Sequence, residues 1–596
     1  MYFSSPALLS LVFLFPVACT ATLYESFGDV GNTTFDFVIV GAGAAGSVLA
    51  NRLSANPNIS VLLLEAGPSN AGVIQSIVPM FPSQLGTNTP WDWNYTTTTQ
   101  PGFNGRSINY PRGHMLGGST SVNYMVYTRG SSEEWNRYAQ LSGDAGWNWI
   151  NIQKYILRNE KWTAPADHHN TAGQFNPSVH STTGINSVSL AGYPHPFDPL
   201  IIATTKENPG QFPFNSDMNS GYHLGVGWLQ STIDTTGQRS SAATSYLGPT
   251  FISRPNLHVV VNSHATRIIQ TGVDQGKPAF RSVELTQSQS GPRIVVNATK
   301  EVILSAGSIG TAQILLLSGI GDQRDLSALG IKTIINNPSV GRNLSDHPQT
   351  SPVWYVNSTG TFDALNRDPA VVAADLAQWQ NQTGPLVDSP LAHLVWSRLP
   401  PHSFTIADPA AGPNTAHYEH LFSNGWARLA PLPAAGNFMS IGTVVTVPTS
   451  RGAVTLKTAN PFDQPNINPN FFATDFDLSA MKQAITAARA FVKAKAWNGY
   501  IIREFEDLAA ATTDATLTTF IKNNAGTAFH PVGTASMSPQ NAIYGVVDPD
   551  LRVKGASGLR IADASVLPIV PSAHTQVPVY VVGERASDLV KQLYSI

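Results

Sequence analysis

The run Thr34-Phe-Asp-Phe-Val-Ile-Val40 passes directly into Gly41-Ala-Gly-Ala-Ala-Gly46, and no other feature of the 596-residue chain constrains its fold as strongly. The apolar, β-branched run reads as a buried strand. The following Ser47–Leu53 has helical character, Asn56-Pro-Asn58 is a turn signal, and Ser60–Glu65 reads as a second buried strand. Together they form one βαβ unit. In such a unit Gly41 permits the tight turn, Gly43 lets the backbone approach a pyrophosphate, and Gly46 lets helix and strand pack closely. The helix N-terminus offers free N–H groups and partial positive charge to phosphates. Glu65, at the end of the second strand, stands where an acid bonds an adenosine ribose. A bound dinucleotide is expected, with FAD and NAD both open on these residues alone.

Charge narrows the partners. Lys+Arg number 35 and Asp+Glu 38, for a net charge of −3, which argues against a nucleic-acid or anionic-membrane surface as the main partner. Charged residues make up only 12% of the chain, about half the usual ~25%. No apolar run of about 18 residues follows the N-terminus, so no membrane span is expected. Residues 1–21, with the apolar stretch 7–21, read as a secretory signal peptide. Cys19, the one cysteine, lies inside it, so a processed chain holds no disulfide, thiol nucleophile or thiolate metal site. Sequons at Asn32, Asn58, Asn94, Asn297, Asn343, Asn357 and Asn381 agree with a secreted, extracellular location.

Further along, residues 66–110 read as a long functional loop and residues 163–230 as loop-rich. Leu257–Val261, Arg293–Val296 and Glu301–Ser305 read as three strands, the last entering a helix at Thr311–Leu317. Leu478, Met481, Ile485, Ala488 and Val492 have helical spacing, and Val577–Tyr594 reads as a closing helix.

Two histidines near the C-terminus, His530 and His574, are each embedded in turn residues. An imidazole can take an alcohol proton near neutral pH and then hold the developing alkoxide. Taken singly, each also suits a structural role. His402, His417, His420 and the His168-His169 pair lack zinc-ligand context, so no metal is expected.

Longer strings carry a family resemblance. Gly41–Gly46 with Leu64-Glu-Ala-Gly67, Gly113–Val126, Gly307–Gly321, Val340-Gly-Arg-Asn-Leu-Ser-Asp-His347, Asp548–Val553 and Leu559–Ser565 resemble the signatures of the glucose–methanol–choline (GMC) oxidoreductases. Within that family the chain is most similar to fungal aryl-alcohol oxidases. The resemblance implies FAD rather than NAD, and it implies that His530 is the catalytic base and His574 its partner. It carries cofactor contacts onto Gly41, Gly43, Gly46, Glu65, Gly118, Asn123, Val126, Ala265, Asp563, Ala564, Thr575 and Gln576. It carries a substrate pocket onto Tyr124, Phe529 and Trp426, whose rings can stack on a benzylic substrate. Two positions depart from the family pattern, His114 and Ala312, and Asn123 bears on how the flavin is held. His114 stands where Arg or Lys is commoner. Ala312 replaces Pro or Ser, with only a local helix-start effect expected. Asn123 stands where some members carry His, so non-covalent FAD is expected.

The expected architecture is α/β: a Rossmann-like FAD-binding domain built from 34–160, 235–348 and 525–596, plus a smaller α+β substrate-binding domain with an antiparallel sheet from 161–234 and 349–524. The expected activity is a secreted, monomeric alcohol oxidase that converts benzylic or allylic alcohols to aldehydes by hydride transfer to the flavin, with O₂ reduced to hydrogen peroxide. The alternatives are an alcohol or sugar dehydrogenase using quinone acceptors and, more remotely, a non-redox lyase that keeps FAD as a structural element.

Overall fold

In the computed structural model, which describes residues 23–596 apart from 402, 405 and 429, the Thr34–Val40 strand is central in an eight-stranded sheet. The signal segment at 1–21 lies outside the described residues. The strand order is Leu23–Tyr24, Leu257–Val260, Val61–Leu64, Thr34–Val40, Ile294–Leu304, Lys277–Thr286 and His264–Asp274, with Leu559–Ile561 also paired to Ile294–Leu304. The pairings at the heart of this sheet are parallel: Val40 lies opposite Leu64 on one side and Leu304 on the other. Every residue of Val61–Leu64 is buried. A parallel sheet is covered on both faces, so its strands are continuous apolar runs rather than alternating ones. The helices Ala44–Leu53 and Gln576–Tyr594 pack against each other over this sheet.

One expected pair of strands is a single strand. Arg293–Val296 and Glu301–Ser305 belong to one eleven-residue strand, Ile294–Leu304, whose register shifts between Ala298 and Glu301. The polar Asn297 and Thr299-Lys300 lie at this irregularity, which explains why the apolar pattern looked interrupted. The helix that follows begins at Gly307, four residues earlier than expected, so Ala312 is buried in its interior rather than at its start.

A second eight-stranded sheet is antiparallel in all its pairings. Its order is Ile501–Glu504, Val353–Val356, Phe438–Val445, Tyr418–Ser423, Leu391–Ser397 and Gly225–Trp228, with Pro348–Thr350 bridging to Gly526–Thr527 at one side. Gly526–Thr527, expected with the first unit, therefore pair in the second sheet. All eight residues of Phe438–Val445 are buried. The helix Asp475–Phe491 packs across that strand through the apolar stripe containing Met481, Ile485 and Ala488. The stretch 163–230, read as loop, holds the helix Asp198–Glu207 and the strands Asn186–Leu190 and Gly225–Trp228. Among the described residues no helix is long and apolar enough to cross a membrane.

Candidate active site

The strand Thr34–Val40 ends in a glycine cradle. Gly41 has φ +100°, and a Cβ there would meet the Ser305 carbonyl oxygen at 2.4 Å. A Cβ on Gly46 would sit 1.9 Å from the Gly41 carbonyl oxygen, so the first helix turn can approach the strand only as glycine. Gly43, the N-cap of that helix, has nothing within 4 Å of where its Cβ would be and lines a cavity of about 950 Å³. Glu65 spans the loop beside it. One carboxylate oxygen accepts from the Ala42 N–H and the other from the Gly67 N–H, each at 2.9 Å. Burial nevertheless pushes the acid up to about 7, against the pull of those backbone donors.

The cavity runs from this cradle to the two histidines. It is lined by Gly41, Gly43, Glu65, Gly118, Asn123, Val126, Ala265, Asp563, Ala564, Thr575 and Gln576, with Tyr124, Phe529, Trp426, His530 and His574 at its other end. Gly46 is the one expected site residue that does not line it; it acts behind the wall, in helix–strand packing. His114 also lies off the wall, with its ring against Trp93 at 4.6 Å between centroids and Nδ1 3.1 Å from the Pro90 carbonyl oxygen. The Asn123 side-chain amide donates to Gln576 at 2.8 Å, which ties the 3-10 turn region to the start of the last helix. An open helix N-terminus, a loop in which Gly41 admits no Cβ and a ribose-side acid are together the donor set of an FAD site. The volume is at the upper end of small-molecule sites, roughly 300–1,000 Å³.

At the far end, a buried acid holds the His530 backbone. Asp346 accepts from the N–H groups of His530 and His347, each at 2.8 Å, from Thr527 Oγ1 at 2.6 Å and from the Tyr110 hydroxyl at 2.5 Å. Burial raises Asp346, and those four donors counter it. Arg112 donates to the Phe529 carbonyl at 2.6 Å, and Phe529 itself has φ +63°, so His530 is fixed at a tight turn. The His530 and His574 rings meet edge to face, 4.7 Å between centroids and 82° apart. Nδ1 of His530 lies 3.0 Å from Nδ1 of His347. Nε2 of His574 lies 3.1 Å from the buried Glu419 carboxylate on the Tyr418–Ser423 strand. Burial holds His530 well below its ordinary value, helped by the charges of His574, His347 and Arg112. A neutral imidazole beside a carboxylate-anchored one is suited to take a proton from an alcohol and to steady the oxygen left behind.

Trp426 is braced by Phe438 and Phe505, at 5.1 and 5.0 Å between centroids, and its indole N–H donates to the Ala430 carbonyl. Its neighbour Ala427 also lines the cavity. Tyr124 stays 38% exposed at the cavity wall. His417 and His420 are structural: one bonds Asp408 at 2.8 Å and the other the Ala484 carbonyl at 2.9 Å. His402 lies outside the described residues. Sequence reasoning did not single out Glu419, Asp346, Arg112 or Gln349. Asp346 and His347 sit inside a quoted signature string, but the partner each one meets is far away in the chain. Glu419 offered only one signal, an acid amid buried strand residues.

The chain matches the GMC oxidoreductase family over residues 35–349 and again over 448–583. The chain belongs to the GMC oxidoreductase family. This GMC oxidoreductase is 40% identical over 597 residues to a pyranose dehydrogenase of Agaricus campestris, covering 98% of each chain. It is likewise 40% identical over 604 residues to pyranose dehydrogenase 3 of Leucoagaricus meleagris, covering 99% of this chain and 98% of the other. A formate oxidase variant from Aspergillus oryzae RIB40 superposes with a TM-score of 0.85 at 30% identity, over 95% of this chain and 99% of that one. A fungal aryl-alcohol oxidase shares the fold at 23% identity and a TM-score of 0.80, over 95% and 100% of the two chains. The GMC oxidoreductase described here is thus an FAD-dependent oxidoreductase acting on CH–OH donors.

Proposed function

We propose that this GMC oxidoreductase is a dehydrogenase of polyhydroxylated, pyranose-like alcohols, passing electrons to quinone-type acceptors. The observation that carries the substrate class is a polar stretch in the wall of the cavity that the histidines also line. Gln349, Ser351 and Ser423 line the cavity, and their side chains make no hydrogen bond among the described residues, the Ser351 contact with Arg428 being through its backbone carbonyl. A site built with unpaired polar groups favours a ligand that supplies several hydroxyls, because an apolar ligand would leave those groups desolvated and unpaired. The likeness to pyranose dehydrogenases over almost the whole chain supports the same reading.

Bound FAD supplies the two-electron acceptor for the hydride on the carbinol carbon. Gly41, Gly43, Gly118 and Glu65 would hold its dinucleotide part, and Asn123, Thr575 and Gln576 lie along the same cavity wall. Asn123, whose amide bonds Gln576, has no nucleophilic side chain, which supports a cofactor that would be held there without a covalent link. His530 takes the hydroxyl proton. His574, anchored by Glu419, bonds the same oxygen and keeps the carbinol carbon in place. Tyr124, Phe529 and Trp426 cover the apolar face of the substrate.

Those three rings favour a second reading, an aryl-alcohol oxidase using O₂. A panel of pyranoses and benzylic alcohols, scored in parallel for dichlorophenol-indophenol reduction and for peroxide, separates the two. Faster turnover of benzylic alcohols with stoichiometric peroxide overturns the dehydrogenase reading. In either case His530→Ala is expected to slow flavin reduction by about 10²–10⁴-fold, the usual worth of a general base.

The secreted location is part of the same proposal. Asn32 and Asn58 are exposed sequons, the Asn32 amide bonding only the Thr34 carbonyl two residues on, whereas Asn343 and Asn94 are half-buried, with amides that donate to Ser536 and the Pro568 carbonyl and to two carbonyls respectively. Glycans are therefore expected at the first two sites and not at the last two.

A further inference from the structure

Beyond the two active-site histidines, a third lies behind them. His347 is 1% exposed and does not line the cavity. It follows the acid Asp346 and precedes the strand Pro348–Thr350, which lies between Phe438–Val445 and Gly526–Thr527 in the second sheet. Its Nε2 lies 3.1 Å from the Thr446 carbonyl oxygen, and its Nδ1 lies 3.0 Å from Nδ1 of His530. A carbonyl oxygen only accepts, so the Nε2 of His347 carries a hydrogen. A neutral imidazole has one N–H, so the Nδ1 of His347 is left with its lone pair. The His530 nitrogen facing that lone pair must then be the donor, Nδ1–H. The other His530 nitrogen, Nε2, is left as an unprotonated acceptor, and it has no protein partner among the described residues.

We infer that His347 is a positioning residue that sets the tautomer of His530, relaying the Thr446 carbonyl through two imidazoles so that Nε2 of His530 is the bare base presented to the substrate hydroxyl. The inference rests on the assignment of His530 as the base in the proposed function. Burial supports the relay, because it drives His347 down to about 3 and so keeps that ring neutral. A doubly protonated His347 would point a second N–H at His530, reverse the bond and place a hydrogen on the wrong face of the base. The hydrogen bond made by one imidazole nitrogen commonly decides the state of the other. The backbone bonds from Asp346 to both histidines hold the two rings in register for this relay.

The test uses the FAD-loaded full chain with two substitutions that split the ring of His347. His347→Asn keeps an acceptor near the Nδ1 position. His347→Gln reaches toward the Thr446 carbonyl but offers no lone pair to His530. Nitrogen-15 spectra of histidine-labelled protein, with His530→Ala identifying the His530 signals, report which ring nitrogen carries the hydrogen. The Nδ1–H form is expected in the parent and in His347→Asn, and its loss is expected in His347→Gln. The limiting rate of flavin reduction is expected to fall at least about tenfold in His347→Gln and to stay within about threefold in His347→Asn, with KM little changed in both. The same tautomer in all three proteins, or equal rates in the two variants, overturns the relay. If His530→Ala reduces flavin at the parent rate, the base assignment fails while the tautomer spectra still decide the relay.

Discussion

His574 and Glu419 lie 155 residues apart in the chain and meet at 3.1 Å, the histidine from the segment leading into the last helix and the acid from a central strand of the second sheet. The second sheet thus anchors one of the two candidate catalytic histidines. The carboxylate accepts from Nε2 and so fixes how this ring is presented to the cavity it lines.

Replacing Glu419 by Gln keeps an acceptor and removes the charge. A hydrogen bond to a charged group is worth about 1.5–3 kcal/mol, so flavin reduction is expected to slow by about 10- to 100-fold. Stopped-flow absorbance under anaerobic conditions measures it. An unchanged rate with unchanged FAD content would make the pair a structural bond only.

Glu65 gives a pH signature in the FAD-free protein. Its ordinary value is 4.5, and burial pushes it up to about 7 in the folded chain. Between those values the folded state holds a proton that the unfolded state has lost, so stability falls as pH rises through that window. The contribution is full below about pH 4.5 and gone above about pH 7, with a magnitude on the order of 3 kcal/mol. Urea unfolding of apoprotein at pH 4.5, 6 and 7.5 is expected to show a shallower pH slope in Glu65→Gln than in the parent. Parallel slopes would show that the acid is not desolvated. The variant is also expected to bind FAD more weakly.

Gly46→Ala tests the helix–strand approach. The added carbon would fall 1.9 Å from the Gly41 carbonyl oxygen and 3.1 Å from Ser305 Cβ, and backbone cannot step aside as a flexible side chain can. Overpacking of this kind costs about 1–3 kcal/mol or more. Loss of bound FAD and a lowered thermal midpoint are expected, whereas Gly43→Ala, with open space at its Cβ, is expected to lose cofactor affinity with less loss of stability.

Gln349 discriminates between the substrate readings. Removing its amide with Gln349→Leu is expected to raise KM for pyranoses about tenfold or more, the cost of one lost hydroxyl contact. Benzylic alcohols, which have no second hydroxyl to lose, are expected to keep their KM within about threefold. Equal effects on both classes would remove the polar wall from the specificity argument.

Local sequence determined the dinucleotide end. The strand, the glycine spacing and Glu65 lie within residues 34–65, and their geometry is set by steric limits and hydrogen bonds between near neighbours. The long strand Ile294–Leu304 was only half legible, because a register shift breaks the apolar period without ending the strand. The reacting end was legible as two histidines and the three rings of Tyr124, Phe529 and Trp426, without the bonds that hold them. Which nitrogen of His530 is bare, what anchors His574, and that Gln349 faces the same space depend on His347, Thr446 and Glu419, groups brought together by strand pairing in the second sheet. Hydrogen bonds act over about 3 Å, so partners 99 to 183 residues apart leave no local pattern, and only the packed tertiary structure could decide them.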